Sequence, residues 1–123
     1  MKRKLLFSVL VLCVSCSRPV PELSGFDKVV WKNDPKGCNG ERVQYLKGLN
    51  EQRDKLKGLS EADLVTLLGN PDKRELSEHH EKFYSYFIEP SVDCGKGDSS
   101  TTVLEVRFNA TGVSKEVSII AID

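Results

Sequence analysis

No apolar run in this chain is long enough to cross a bilayer as a permanent helix; the longest, Leu5 to Val14, is already interrupted by Ser8. Charge of one sign is also lacking, since 18 basic residues face 18 acidic ones. A nucleic-acid binder needs a concentrated basic face, so that class is set aside. Histidine is scarce: His79 and His80 are the only two, and they are adjacent. Neighbours in a strand or hairpin point in different directions and do not chelate one ion in the usual way, so both read as exposed turn residues. No Gly-x-Ser-x-Gly elbow or phosphate-binding loop occurs, and neither histidine has a nucleophile motif around it. The close acidic pairs, Glu61 with Asp63 and Glu51 with Asp54, sit where helix caps and solvated helix faces are expected. The chain therefore reads as a non-enzyme, with no cofactor, metal or small-molecule substrate indicated. Repeats and low-complexity tracts are missing as well.

What is present begins with a leader. Lys2, Arg3 and Lys4 precede the apolar run, and small residues Val14 and Ser15 precede Cys16, the pattern of a secretory signal peptide over residues 1–15. The segment "CVSC" is similar to a bacterial lipobox, in which the cysteine after the cut carries the lipid. On that resemblance Cys13 leaves with the signal and Cys16 becomes the acylated first residue, an expected palmitate-type modification. Several acyl chains, at about 0.8 kcal/mol per buried methylene, hold a protein on a membrane where one chain is marginal. Ser17 follows the lipidated position where an acid would retain the protein in the inner membrane. The expected location is thus the periplasmic face of a bacterial outer membrane, with a lipid anchor instead of a span. "NAT" at Asn109 matches a glycosylation acceptor, a match that a bacterial lipobox makes incidental.

Two cysteines then remain, Cys38 and Cys94, in a compartment that oxidises thiols. One disulfide is expected, contributing on the order of 3 to 4 kcal/mol in the chain-entropy model. Processing also removes three bases and no acid, leaving the mature side chains slightly acidic.

About a hundred mature residues suffice for one small domain. Residues 16–25, with two prolines, read as a tether. Residues 26–123 read as a single domain that begins with an arm over 26–40, "FDKVVWKNDPKGCNG", too rich in large apolar residues for a solvated linker. From Glu41 to Lys57, Val43, Leu46, Leu49, Arg53 and Leu56 recur at helical steps and predict one amphipathic helix, with Gly48 a weak point. In "GLSEADLVTLLGNP" Ser60 caps a second helix, Asp63 completes a capping box, Leu59 staples to Leu64, and Gly69 and Pro71 end it. The period then changes to two. "KREL", "KFYSYFI", "TTVLEVRFN" and "VSKEVSII" predict strands, the last pair joined by the turn "NATG". The expected class is α+β, two N-terminal helices packed on a three- to four-stranded antiparallel β-meander.

Aromatic residues are few, and four of them fall between Phe83 and Phe87. Phe83 and Phe87 share one face of that strand, and Tyr84, Tyr86 and Ile88 the other. One face packs under the helices. The other meets the arm, a partner or water, and the arm is the expected cover because it belongs to the same chain. Trp31, Tyr84 and Tyr86 are the candidate partner contacts.

The segment from Gly58 to Val117 resembles the SmpA/OmlA (BamE-like) family of outer-membrane lipoproteins. "GLSEADLVTLLGNP" is similar to that family's helix signature, and Gly58, Ser60, Leu64, Leu68, Gly69, Pro71, Tyr86, Phe108 and Gly112 occupy matching positions. The resemblance implies a BamE/BLIP-like fold and a protein that docks on another envelope protein, in support of outer-membrane protein assembly. The same unit also serves proteins that inhibit enzymes, so an inhibitor of a periplasmic hydrolase of lysozyme or β-lactamase type, inserting the loop "SVDCGKGDSS", is the alternative.

Overall fold

A computed structural model describes residues 20–95 and 100–122. The leader, Cys13 and the lipidation position Cys16 lie outside these, as does the middle of the "SVDCGKGDSS" loop. The fold is α+β, with a four-stranded antiparallel sheet in the order of the chain: β1 Lys73–Leu76, β2 Lys82–Phe87, β3 Thr101–Phe108 and β4 Ser114–Ile122. Aromatic residues in β2 and β-branched residues in β3 and β4 favour extended backbone, β1 is a short charged strand, and tight turns join two of the three pairs. At one turn His80 takes a positive φ of 62°. At the other the Asn109 carboxamide accepts from the backbone N–H groups of Thr111 and Val113.

Register decides which side chains share a face. Tyr84 lies opposite Val106 and Tyr86 opposite Leu104, and β4 adds Val117 and Ile119 to the same side. Trp31 of the arm and the buried leucines of the helical segments pack on this face. Its core contains Trp31, Tyr45, Leu49, Leu56, Leu64, Leu67, Leu68, Tyr84, Tyr86, Ile88 and Phe108.

The helical layer differs from expectation. Instead of two helices there are three short α-helices, α1 Lys28–Lys32, α2 Leu46–Glu51 and α3 Glu61–Leu68, joined by 3-10 turns. The stretch 41–57 divides into Arg42–Tyr45, α2 and Arg53–Leu56, with Gln52 (φ −108°, ψ 12°) ending α2. The buried stripe is Arg42, Tyr45, Leu49 and Leu56, whereas Val43 and Arg53 are exposed. The shift follows from Arg42, whose guanidinium is drawn inward by Asp72 while its backbone N–H donates to Asp34.

α3 begins and ends where its sequence signals place it, although only the Ser60 half of the expected capping box forms. The Ser60 hydroxyl accepts from the Asp63 N–H at 3.1 Å, and Gly69 closes the helix at φ 80°, a value that disfavours a side chain. The tether is shorter than its composition suggested. Leu23 is buried, Val20 packs on the core, and the Gln52 carboxamide bonds the backbone of Ser24 in both directions. The domain thus includes residues 20–25.

The arm is helical where Asp27 caps Val29 and Val30, and the Cys38–Cys94 disulfide, with Cα atoms 5.4 Å apart, ties its end to the β2–β3 loop. Between them Gly37 (φ 64°) passes so close to the end of β2 that an added Cβ would lie 2.7 Å from the Ile88 carbonyl oxygen.

Candidate docking surface

Trp31, Tyr84 and Tyr86, read from sequence as partner contacts, are core residues: Trp31 and Tyr86 are fully buried and Tyr84 is 6% exposed. For Trp31 and Tyr86 the cause is the C-terminal end of α3, where carbonyls lack intrahelical donors. Trp31 Nε1 donates to the Leu68 carbonyl at 3.1 Å, the Tyr86 hydroxyl to the Gly69 carbonyl at 2.9 Å, and Lys32 Nζ to the Thr66 carbonyl at 2.7 Å. Three side chains from the arm and the sheet thereby close one helix end. Burial pushes the Tyr86 phenol well above its ordinary range.

The arm also lies on the other side of the sheet from the one expected. Trp31 packs among Phe26, Tyr45 and Tyr86 in the helical layer, so it does not cover the Phe83 and Phe87 face. On that second face Phe87 and Val103 are buried outside the main core, while Glu105, Arg107 and Glu116 form a charged region. Arg107 bridges Glu81 at 3.1 Å and Glu116 at 3.3 Å. Burial, followed by repulsion from Glu75 and Glu116, raises the Glu105 carboxyl.

A buried polar clamp had no signature in the sequence. Asp34 accepts from the backbone N–H groups of Asn39, Glu41 and Arg42 at 2.7, 2.8 and 3.2 Å. Arg42 donates to the Trp31 carbonyl, the Phe87 carbonyl and Asp72, the last at 2.7 Å, and lies 4.6 Å from the Trp31 ring centre. Asp72 in turn accepts from the N–H groups of Lys36 and Phe87. The clamp joins arm, helical layer and sheet, and each carboxylate oxygen is already engaged. Its chemistry is structural. Spacing of 8 and 30 residues between its charges leaves no local pattern to find.

Other side chains remain available at the β1 edge. Leu76, 65% exposed, stands in a cleft of about 230 Å³ rimmed by Glu61, Arg74, Glu75, Lys82 and the Tyr84 ring. The rim is ordered: the Tyr84 hydroxyl donates to Glu61 at 2.8 Å, Lys82 lies 3.2 Å from the same carboxylate, and the Arg74 guanidinium sits 5.1 Å from the Tyr84 ring centre. The Tyr84 hydrogen bond holds the Glu61 carboxyl below its usual value, against the effect of burial and with help from Lys82. Burial and Glu61 raise the Tyr84 phenol. An apolar centre inside a pre-ordered charged rim is suited to a protein surface of matching shape. Sequence alternation places Leu76 in a short strand, but its exposure depends on β1 lying at the sheet edge.

At the far end of the sheet the turn Val92–Cys94 is held by the disulfide and by the Ser91 side chain, and presents Val92 at 56% exposure. His79 and His80 are exposed in the β1–β2 turn, and among the described residues no group of three or more His, Cys, Asp or Glu is placed to hold a metal ion. Comparison of the chain with protein-family models, with curated proteins and with solved structures finds no match.

Proposed function

We propose that this is a non-enzymatic, lipid-anchored envelope protein that docks on another envelope protein. The observation that carries the reading is the Leu76 cleft, an exposed apolar side chain in a rim already fixed by Glu61, Lys82 and Tyr84. The lipobox-like "CVSC" supplies the anchor at Cys16 and the outer-membrane location, and the resemblance of Gly58 to Val117 to the SmpA/OmlA (BamE-like) family suggests a role in outer-membrane protein assembly. Short separation between anchor and domain, with ordered packing from Val20 onward, keeps the docking surface near the membrane.

The test is crosslinking and capture from native membranes with the lipidated protein, followed by mass spectrometry. Wild type is expected to recover a defined envelope protein and Leu76→Glu to lose it at unchanged thermal stability. Equal recovery by the two removes the cleft from the function. A second reading rests on Val92, displayed on a turn stapled by Cys94 as an insertion loop for a periplasmic hydrolase. Titration against lysozymes and β-lactamases separates the two, because inhibition sensitive to Val92→Asp and indifferent to Leu76→Glu belongs to the inhibitor.

A further inference from the structure

The two edges of the sheet are built differently. β1 is four residues long and charged at Lys73, Arg74 and Glu75, the usual protection of a free edge. β4 is nine residues long, and from Val117 to Ile122 it contains no charge at all. Its first part is covered: the Gly58 N–H donates to the Ser114 carbonyl at 2.9 Å and the Ser114 N–H to the Leu59 carbonyl at 2.8 Å. Beyond that point no described residue pairs with its outer edge.

Hydrogen-bond alternation identifies the open groups. The Thr102 carbonyl accepts from Ile88, so the even-numbered residues of β3 direct their backbone toward β2 and the odd-numbered ones toward β4. Val117, Ile119 and Ala121 lie opposite Val106, Leu104 and Thr102. Their N–H and C=O groups therefore point away from the sheet. Beside them runs an open groove of about 500 Å³ between α2 and the sheet, lined by Val43, Leu46, Thr102 and Ile119 together with the polar Gln44, Lys47 and Asn50, with Val43 45% exposed.

We infer that this edge pairs antiparallel with β4 of a second copy of the chain, about a two-fold axis at Ile119. That register matches Val117 with Ala121 of the mate, Ile119 with its equivalent, and Ala121 with Val117, so all three outward residues exchange both hydrogen bonds. Charge permits the same partner. Lys115 and Glu116 of the two copies fall at opposite ends of the pairing, so no like charges are opposed along it. Both helical layers then lie on one side of a continuous eight-stranded sheet, and the two α2 grooves face each other across the axis. The surface is distinct from the Leu76 cleft at the opposite edge.

Cysteine crosslinking in membranes of cells making the full chain tests this register. Directly opposed residues of a hydrogen-bonded pair have Cα atoms about 5.5 Å apart, within disulfide reach, whereas Val117 and its equivalent would be about 14 Å apart. Oxidation of Ile119→Cys is expected to give a covalent homodimer. Val117→Cys or Ala121→Cys alone gives none, and the two made together in one cell give a heterodimer. Ala121→Pro, which removes an N–H the monomer does not use, should abolish the Ile119→Cys product at unchanged melting temperature. Absence of both the Ile119→Cys and the mixed product, equal crosslinking by Val117→Cys alone, or linkage of the Ile119→Cys variant to a different protein would overturn the inference.

Discussion

Trp31 and Arg42 show how strongly a buried polar atom constrains its surroundings. Trp31 brings a large apolar body and one N–H that must be satisfied, and the free Leu68 carbonyl at the end of α3 meets it. Trp31→Ala is expected to cost about 3 to 5 kcal/mol in urea unfolding, through the cavity and the lost cap. Arg42→Ala leaves Asp72 without its ionic partner inside the protein, and a loss of about 3 to 5 kcal/mol is expected in the same measurement. Replacing Arg53, exposed on the neighbouring turn, is the control and should change little.

The Glu61–Tyr84 pair predicts how stability varies with pH. A carboxyl held below its ordinary 4.5 contributes stability above that pH, lost as pH falls through the lowered value. A phenol raised above 10.0 contributes stability below that pH, lost as pH rises through the raised value. Glu61→Gln should therefore flatten the acid limb of the stability curve, and Tyr84→Phe the alkaline limb. Urea midpoints across pH that keep the wild-type shape in both variants would refute the pairing.

Among the elements, α3 was predictable because its stop and start signals act within four residues, and Ser60 and Gly69 do what their chemistry suggests. The stretch 41–57 was not, since apolar spacing alone does not distinguish one helix from a helix flanked by 3-10 turns. The Arg42 backbone N–H donates to Asp34 and its guanidinium turns inward to Asp72, and that orientation puts Val43 in water. The disulfide gives the arm its second attachment. With its cysteines 56 residues apart, replacement of Cys38 and Cys94 by serine is expected to lower stability by about 4 kcal/mol in the chain-entropy model, measured by thermal melting against the oxidised protein. Gly37→Ala should also destabilise, because both a positive φ and the Ile88 carbonyl oppose the new Cβ.

As a whole, the molecule has one covered sheet face, one face divided between buried Phe87 and a charged region, and two unlike edges. The short edge bears the Leu76 cleft and the long edge the uncharged backbone of β4. Under the lipid anchoring proposed above, the domain meets partners at raised effective concentration, so modest surfaces suffice. Leu76→Glu and Ala121→Pro should act independently, the first losing capture of the envelope protein and sparing self-crosslinking, the second the reverse.

A sheet of three to four antiparallel strands, strand boundaries to within two residues, the Ser60-capped helix and the Cys38–Cys94 pair were readable from residue order; the count of four came from the fold. The elements depend on short-range events, alternation of side chains or a hydroxyl reaching three residues on, and the disulfide on a count of the two thiols that remain once the expected leader is set aside. Which aromatic residues are buried was not readable. Tyr84, Tyr86 and Trp31 looked equally suited to a partner, and their fate depended on cross-strand register and on three unpaired carbonyls at the end of α3. The arm's position and the Arg42 clamp likewise join charges and carbonyls far apart in sequence. Local pattern specifies the elements because backbone hydrogen bonding is local; placement of buried polar groups belongs to the assembled fold, because only there do their partners meet.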